Sequence, residues 1–92
     1  MSSTVRDNPA RHRFELDVDG AIAIANYRID GGVITIFHTE TPPHLRGRGI
    51  ASRLMEGVVD IVRARGLKVV PSCAFADDYF AKHAELSDLL AK

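Results

Sequence analysis

The sequence has one cysteine and no long apolar run. Because Cys73 is the single cysteine of 92 residues, no disulfide can form within the chain, which fits a reducing compartment. No apolar stretch approaches the ~20 residues that a transmembrane helix requires. Residues 1–13 are polar and lack the apolar core of a signal peptide. We therefore expect a soluble, cytoplasmic protein.

The chain also lacks an excess of either charge. Its 12 Lys and Arg residues balance 12 Asp and Glu residues, and the pI is near 6.9. This balance argues against nucleic acid and anionic membranes as partners, since both attract strongly basic proteins. No pair of residues has metal-ligand spacing, so no metal site is expected. An apolar content of 46% in a chain of this length predicts one globular domain.

The first half of the sequence predicts an antiparallel β-meander. Apolar and polar side chains alternate in three segments separated by turn signals, at residues 13–18, 21–29 and 33–38. The apolar phase changes within the second segment, which indicates a bulge near residues 25–26 or a strand buried on both faces. Residues 1–12 are expected to be a flexible N-terminal arm, with the folded domain over residues 13–92.

The second half predicts a helix followed by a short strand and further helical turns. Apolar residues recur at helical spacing over residues 50–65, and Gly66 is suited to end this helix. Gly57 inside it costs about 1 kcal/mol relative to alanine, so we expect close packing there. The remaining elements are a strand over 67–73 interrupted at Pro71 and helical segments over 74–83 and 85–90. The fold class is α/β, with an antiparallel β-meander, a helix, a splayed strand and a C-terminal helix.

The glycine turn before the helix, Arg46-Gly47-Arg48-Gly49-Ile50-Ala51, carries the clearest chemical signal. Glycine lets backbone N–H groups approach a ligand, and a helix N-terminus adds unpaired donors and a positive dipole end. This combination favours phosphate, here the pyrophosphate of a nucleotide-bearing cofactor. The turn lacks the Lys-Ser/Thr pair of a P-loop, and Ser52 stands where a Rossmann fingerprint requires glycine. A basic surface loop is the alternative.

Four blocks of the sequence resemble the GNAT acetyltransferase superfamily. Arg46-x-x-Gly49-x-Ala51 matches its Arg/Gln-x-x-Gly-x-Gly/Ala signature. Together with residues 38–42, 66–73 and 79–83, in that order along the chain, the signature is similar to the minimal, single-domain GNAT-like N-acetyltransferases of the YjdJ type. The resemblance covers residues 14–90, which is nearly the whole chain.

The resemblance implies acetyl-CoA (coenzyme A) as the cofactor. Backbone N–H groups of the glycine turn would hold its pyrophosphate. The strand ending at Thr41 and the strand ending near Cys73 would splay apart, and the pantetheine arm would add to the open edge of the first strand. The cofactor-binding residues implied are Thr39, Thr41, Arg46, Gly47, Arg48, Gly49, Ile50, Ala51, Tyr79 and Lys82.

Three residues are candidates for the chemistry of transfer, namely Cys73, Glu40 and His38. The family usually has a cysteine at the position of Cys73, which makes it an acyl acceptor or a proton donor to the departing thiolate. A small buried hydrophobic residue is the alternative. Glu40 and His38 share one face of a strand, because the strand period is two, and either could deprotonate an amine. Exposed edge residues are the alternative for both.

The predicted function is an acetyl-CoA-dependent N-acetyltransferase that moves acetyl to a primary amine of a protein or a small molecule. Ordinary GNAT enzymes have an additional N-terminal strand and helices that wall the acceptor site. This chain reaches its central strands too early to hold them, so we expect an open acceptor site. A non-catalytic acyl-CoA-binding or sensing module is the alternative, and a nucleic-acid adaptor is disfavoured by the net charge. We expect a monomer or a weak homodimer.

Overall fold

The structure, a computed structural model that describes residues 5–91, contains a five-stranded sheet. The strands stand in chain order: β1 (Val5–Asn8), β2 (Arg13–Val18), β3 (Ala21–Asp30), β4 (Val33–Glu40) and β5 (Lys68–Pro71). Neighbouring strands are antiparallel except β4 and β5, which are parallel and joined by a helical crossover. The helices are α1 (Ile50–Arg65) and α2 (Ala74–Lys82), with 3-10 turns at Pro9–Arg11, Pro43–Leu45 and Ala84–Leu89. The predicted α/β class is confirmed.

The core lies between one face of the sheet and α1. The inward-facing side chains of the central strands are buried: Phe14, Leu16, Ala23, Ala25, Ile34 and Ile36. They meet the apolar stripe of α1, which consists of Leu54, Met55, Val58 and Val62. Because β3 presents alanines at its centre, these larger helix side chains fit against the sheet. Phe80 of α2 extends the same core.

The bulge between β3 and β4 lies in β4. The register pairs Asn26 with His38 but Tyr27 with Ile36, so Phe37 is the extra residue. The sequence indicated a bulge near residues 25–26, and that location is confirmed. The extra residue belongs to the partner strand, however, because β3 itself alternates without a break.

The N-terminal segment forms regular structure, so the expectation of a flexible arm is wrong for residues 5–12. β1 pairs with β2 along its whole length, and a 3-10 turn connects the two strands. The carboxylate of Asp7 accepts the hydroxyl of Tyr27 at 2.5 Å and pairs with Arg65 at 2.8 Å. These contacts join residues far apart in the sequence, so the local pattern could not reveal them. Residues 1–4 of the expected arm lie outside the described residues.

β1 also corrects the expectation that the chain has no room for an additional N-terminal strand. The turn Pro9–Arg11 leads directly into β2, without the helices that the resembled family places before its central strands. The outward face of the sheet exposes apolar side chains, among them Ile22 and Val70 at 38% each. No helix of the described chain combines the length and the apolar character needed to cross a membrane.

Candidate functional site

β4 and β5 separate partway along β4. Their parallel pairing ends at Ile36 and Pro71, and the N–H groups of residues 72 and 73 both donate to Ile36 O, at 2.8 and 3.1 Å. β4 continues beyond this point, so its edge over residues 37–40 has no strand partner on the β5 side within the described chain. The splay that the sequence predicted is confirmed. An open strand edge of this kind accepts an extended ligand that carries amide groups.

The glycine turn enters α1 with a run of unpaired backbone donors. Arg46 N–H donates to Pro43 O at 3.3 Å, and the helix ladder begins with Arg53 N–H, which donates to Gly49 O at 3.1 Å. Between them, the N–H groups of residues 47–52 donate to no backbone carbonyl of the described chain. Helix N-termini characteristically leave such donors for a side chain, water or a ligand.

The backbone of the two glycines aims this run of donors outward. Gly47 and Gly49 have φ of 82° and 71°, a left-handed conformation that glycine adopts without steric cost. Gly49 is the N-cap of α1 and contributes no capping side chain. Leu45, 1% exposed, fixes the start of the turn in the core. The unpaired donors and the positive end of the α1 dipole therefore form a site suited to an anion.

A pocket of about 230 Å³ lies between the glycine turn and the start of α2. Its lining consists of Thr41, Leu45, Arg46, Gly47, Gly49, Ile50, Ala51, Ser52 and Phe75. Most of the residues predicted to bind the cofactor through the turn therefore meet at one place, with Arg48 exposed beside it. The sequence missed Leu45, Ser52 and Phe75. Phe75 could have been predicted as a pocket residue, because it lies in the first turn of a helix that begins at the splay.

Cys73 lies at the splay and caps α2. Its Sγ accepts Ala76 N–H at 3.4 Å, and its thiol donates to Thr39 Oγ1 at 3.9 Å. The side chain is half-buried. The sulfur is thus held where β4 leaves β5, beside the open edge of β4.

His38 and Glu40 lie on the outward face of β4. His38 Nε2 is 3.2 Å from Glu40 Oε1, so the prediction that the two side chains share a face is confirmed. Both are exposed, at 54% and 64%. Thr39 stands opposite Ala25 and faces inward, so Cys73 and the His38–Glu40 pair approach the end of β4 from different sides.

Tyr79 and Lys82 do not line the pocket at the glycine turn. Tyr79 is buried and stacks on His83 with ring centroids 4.1 Å apart. Lys82 forms an exposed ion pair with Asp78 at 3.0 Å. Contact of Tyr79 and Lys82 with the cofactor stays a prediction.

The splayed parallel strands and the glycine turn between them form the arrangement that the sequence resemblance implies for an acyltransferase. A sequence model of the GCN5-related N-acetyltransferase (GNAT) family matches residues 13–89, and the chain belongs to this family. It is 31% identical over 84 residues to protein NATD1 of Xenopus tropicalis, covering 85% of this chain and 76% of that protein. This assignment makes the chain an acetyltransferase and disfavours the non-catalytic alternative.

The fold also resembles a solved structure. The NMR structure of a GCN5-like candidate N-acetyltransferase from Staphylococcus aureus superimposes with a TM-score of 0.73 and 29% sequence identity. The match covers 95% of this chain and 86% of that one. The sheet, both helices and the splay therefore belong to a known GNAT arrangement, while the resemblance to the YjdJ type in particular stays a prediction.

Proposed function

We propose that this chain binds acetyl-CoA in the cleft formed by the glycine turn and the splayed strands, and transfers the acetyl group to a primary amine. The observation that carries the proposal is the run of unpaired N–H groups over residues 47–52, beside the open edge of β4 over residues 37–40. Such a cleft suits an anion joined to an extended amide chain. Pyrophosphate and pantetheine are joined in this way in acetyl-CoA.

The charge and shape of the glycine-turn pocket support this ligand. Arg46 lines it, Arg48 is exposed in the same turn, and its lining contains no carboxylate. Two guanidinium groups beside the unpaired N–H groups favour phosphate oxygens as acceptors. Phe75 and Ile50 supply an apolar wall. Thr39 and Thr41, on the last part of β4 and just after it, would contact the pantetheine arm.

Residues of this chain can accept and donate the protons that acetyl transfer requires. Acetyl-CoA, when bound, supplies the acetyl group as a thioester. Glu40, in contact with His38, would accept the proton that the attacking ammonium group must lose, directly or through water. Cys73, at the splay, would donate the proton that the departing sulfur requires, or carry the acetyl group itself. A backbone N–H near Thr41 would stabilise negative charge on the carbonyl oxygen.

The acceptor amine would approach from the outward face of the sheet. The His38–Glu40 pair lies on that face, and no α-helix of the described chain precedes β2 to enclose it. An exposed base in an open site suits an amine on a protein or on a bulky small molecule. This chain would act as a monomer or a weak homodimer.

Calorimetric titration with acetyl-CoA tests the proposal. Arg46→Gln/Arg48→Gln should bind acetyl-CoA about tenfold more weakly than the unaltered protein, because it loses two phosphate contacts. Arg11→Gln/Arg28→Gln is the matched control, since both arginines are exposed, lie outside the pocket and give the same change of charge. An equal loss of acetyl-CoA affinity in both variants would show that the effect comes from net charge and not from contacts in the pocket. No binding by the unaltered protein would overturn the proposal.

Release of free CoA across a panel of primary amines and lysine peptides then tests transfer. Glu40→Gln should lower the rate most at neutral pH, where the amine is largely protonated. Binding of acetyl-CoA with no amine-dependent release by the unaltered protein would contradict the transfer step.

A further inference from the structure

A second pocket, of about 340 Å³, opens between α1, α2 and the C-terminal 3-10 turn. Its polar lining consists of Glu56, Asp60, Tyr79, His83 and Glu85, and we refer to it as the acidic pocket. It shares no lining residue with the pocket at the glycine turn. The proposed function uses no carboxylate of the acidic pocket.

The three carboxylates of the acidic pocket have no partner in the described chain. Glu56, Asp60 and Glu85 form neither an ion pair nor a hydrogen bond through their side chains with residues 5–91. Lys82, which is near in sequence, pairs instead with Asp78. Three uncompensated negative charges around one concavity attract a cation.

The hydroxyl of Tyr79 is a further unpaired group in the wall of this pocket. Tyr79 is 7% exposed, yet its hydroxyl has no hydrogen-bond partner among residues 5–91. Tyr79 lines the same pocket as Glu56, Asp60 and Glu85, and its pKa is raised by burial and by their charges. No side-chain nitrogen or oxygen of the described residues is both buried and unpaired, so the Tyr79 hydroxyl is open to the pocket. The hydroxyl is therefore poised to accept a hydrogen bond from a cationic donor in the pocket.

The ring of His83 forms an aromatic wall with Tyr79. His83 Nδ1 is 2.7 Å from Tyr79 O, and because a carbonyl can only accept, Nδ1 is the donor. This contact fixes the imidazole against the phenol ring, with centroids 4.1 Å apart and planes inclined by 24°. The stack gives the pocket an apolar surface against which a methylene chain can pack.

The cation that fits this lining is organic. No group of three or more His, Cys, Asp or Glu side chains within residues 5–91 is arranged to hold a metal ion. Glu56 and Asp60 lie one turn apart on α1, with Cβ atoms roughly 6 Å apart, and Glu85 faces them from the 3-10 turn. We propose that the acidic pocket binds an aliphatic diamine, whose ammonium groups contact these carboxylates and whose chain packs on Tyr79.

Calorimetric titration of the full chain without acetyl-CoA tests this site independently of the proposed function. The probe is 1,4-diaminobutane, and n-butylamine at the same ionic strength serves as the one-charge control. The diamine should bind about tenfold more tightly, or ~1.4 kcal/mol, because it engages a second carboxylate. Equal affinity for the two amines would overturn the proposal, and so would tighter binding of a tetralysine peptide, which would indicate a protein partner instead.

Paired variants locate the diamine. Glu56→Gln/Asp60→Asn should lower the affinity about tenfold. Asp19→Asn/Asp30→Asn, which makes the same change of charge at exposed positions outside the pocket, should leave it within about twofold. Tyr79→Phe keeps the stack but removes the hydroxyl, and should weaken binding about threefold. Backbone NMR spectra of each variant confirm the fold. Unchanged affinity in Glu56→Gln/Asp60→Asn would overturn the assignment even if the diamine binds.

Discussion

Val5 of β1 occupies the space that a side chain at Gly57 of α1 would require. A Cβ atom built on Gly57 would overlap both the Cβ and the Cγ2 of Val5. The helix therefore approaches the edge strand more closely at this point than any other residue would allow. The close packing that Gly57 predicted from the sequence is confirmed, and its partner is the strand that the sequence did not predict.

Gly57→Ala should lower the free energy of unfolding despite its better helix propensity. The propensity gain is about 1 kcal/mol. Overpacking against Val5 costs about 1–3 kcal/mol, because the overlapping atoms include a branched Cβ that cannot move without its strand. We expect a net loss of about 1 kcal/mol in urea unfolding, together with faster amide exchange in β1.

Val5→Gly, which removes both overlapping atoms, provides the control for this overlap. Gly57→Ala should cost much less in the Val5→Gly background, because no Cβ remains at position 5, with a coupling energy of about 1–2 kcal/mol between the two positions. Additive effects would show that β1 does not pack on Gly57.

Local sequence signals were enough to predict those parts of the fold that depend on local backbone geometry. The bounds of α1, Ile50–Arg65, were predicted correctly because Gly49 and Gly66 at its two ends have positive φ, at 71° and 69°. β1 was missed because its pairing depends on residues elsewhere, notably Glu15 and Gly57. Short polar strands carry no periodic apolar signal.

The same distinction holds for the candidate site. The glycine turn could be predicted because its glycines, which adopt positive φ, and the start of the helix are adjacent in the sequence. Phe75 and Tyr79 could not be assigned to their pockets, because the direction in which they point depends on how α2 crosses α1. Helix crossing is set by the packed side chains of both helices.

Glu15 links β1 to β2 on the outward face and should make stability depend on acid pH. It is 4% exposed and contacts Arg13 at 2.7 Å, Asn8 at 3.0 Å and Arg6 at 3.0 Å. Hydrogen bonds from Arg13 and Asn8, and the charges of Arg13 and Arg6, hold the pKa of Glu15 below its ordinary value of 4.5, although burial opposes them. The ionised carboxylate therefore favours the folded state.

The sign of this effect follows from proton binding. As the pH falls, Glu15 is protonated first in the unfolded chain, near pH 4.5. The stabilisation that the ionised carboxylate gives is therefore fully present above that pH, and it is lost as the pH falls toward the lower pKa of the folded state. Glu15→Gln should cost about 2 kcal/mol at pH 7. The difference between the two proteins, measured by urea unfolding, should shrink below pH 4.5. A constant difference would contradict this role.

Tyr27 should limit stability at alkaline pH. Burial, and then the hydrogen bond to the Asp7 carboxylate, raise its pKa from 10.0 to about 12. Stability is therefore full below pH 10 and is lost as the pH rises through about 12, by about 2–3 kcal/mol. Ultraviolet titration of Tyr79→Phe, in which Tyr27 is the one remaining tyrosine, should show no phenolate near pH 10. A phenolate that forms at pH 10 without unfolding would refute this.

Gly49→Ala separates backbone strain from ligand binding. A Cβ at Gly49 meets no atom within 4 Å, so the cost is that of placing alanine at φ 71°, about 1 kcal/mol. Gly20→Ala in the β2–β3 turn has the same kind of strain, at φ 82°, and serves as the control. Both should lose similar thermal stability, but acetyl-CoA affinity should fall only in Gly49→Ala. Similar affinities in the two variants would argue against the glycine turn as the pyrophosphate site.

Two substitutions of Cys73 separate its capping role from its chemistry. Its sulfur caps α2 by accepting Ala76 N–H, so Cys73→Ala should cost about 1 kcal/mol of stability. Cys73→Ser keeps an acceptor at the cap and a donor toward Thr39, and should be as stable as the unaltered chain. If the thiol donates the proton or carries the acetyl group, both variants should lose acetyl transfer. Mass spectrometry of the unaltered chain after mixing with acetyl-CoA distinguishes the two roles, because only a thiol that carries the acetyl group forms an acetyl adduct on Cys73. Full acetyl transfer by Cys73→Ala would show that Cys73 has no chemical role and only caps α2, because this variant has no sulfur.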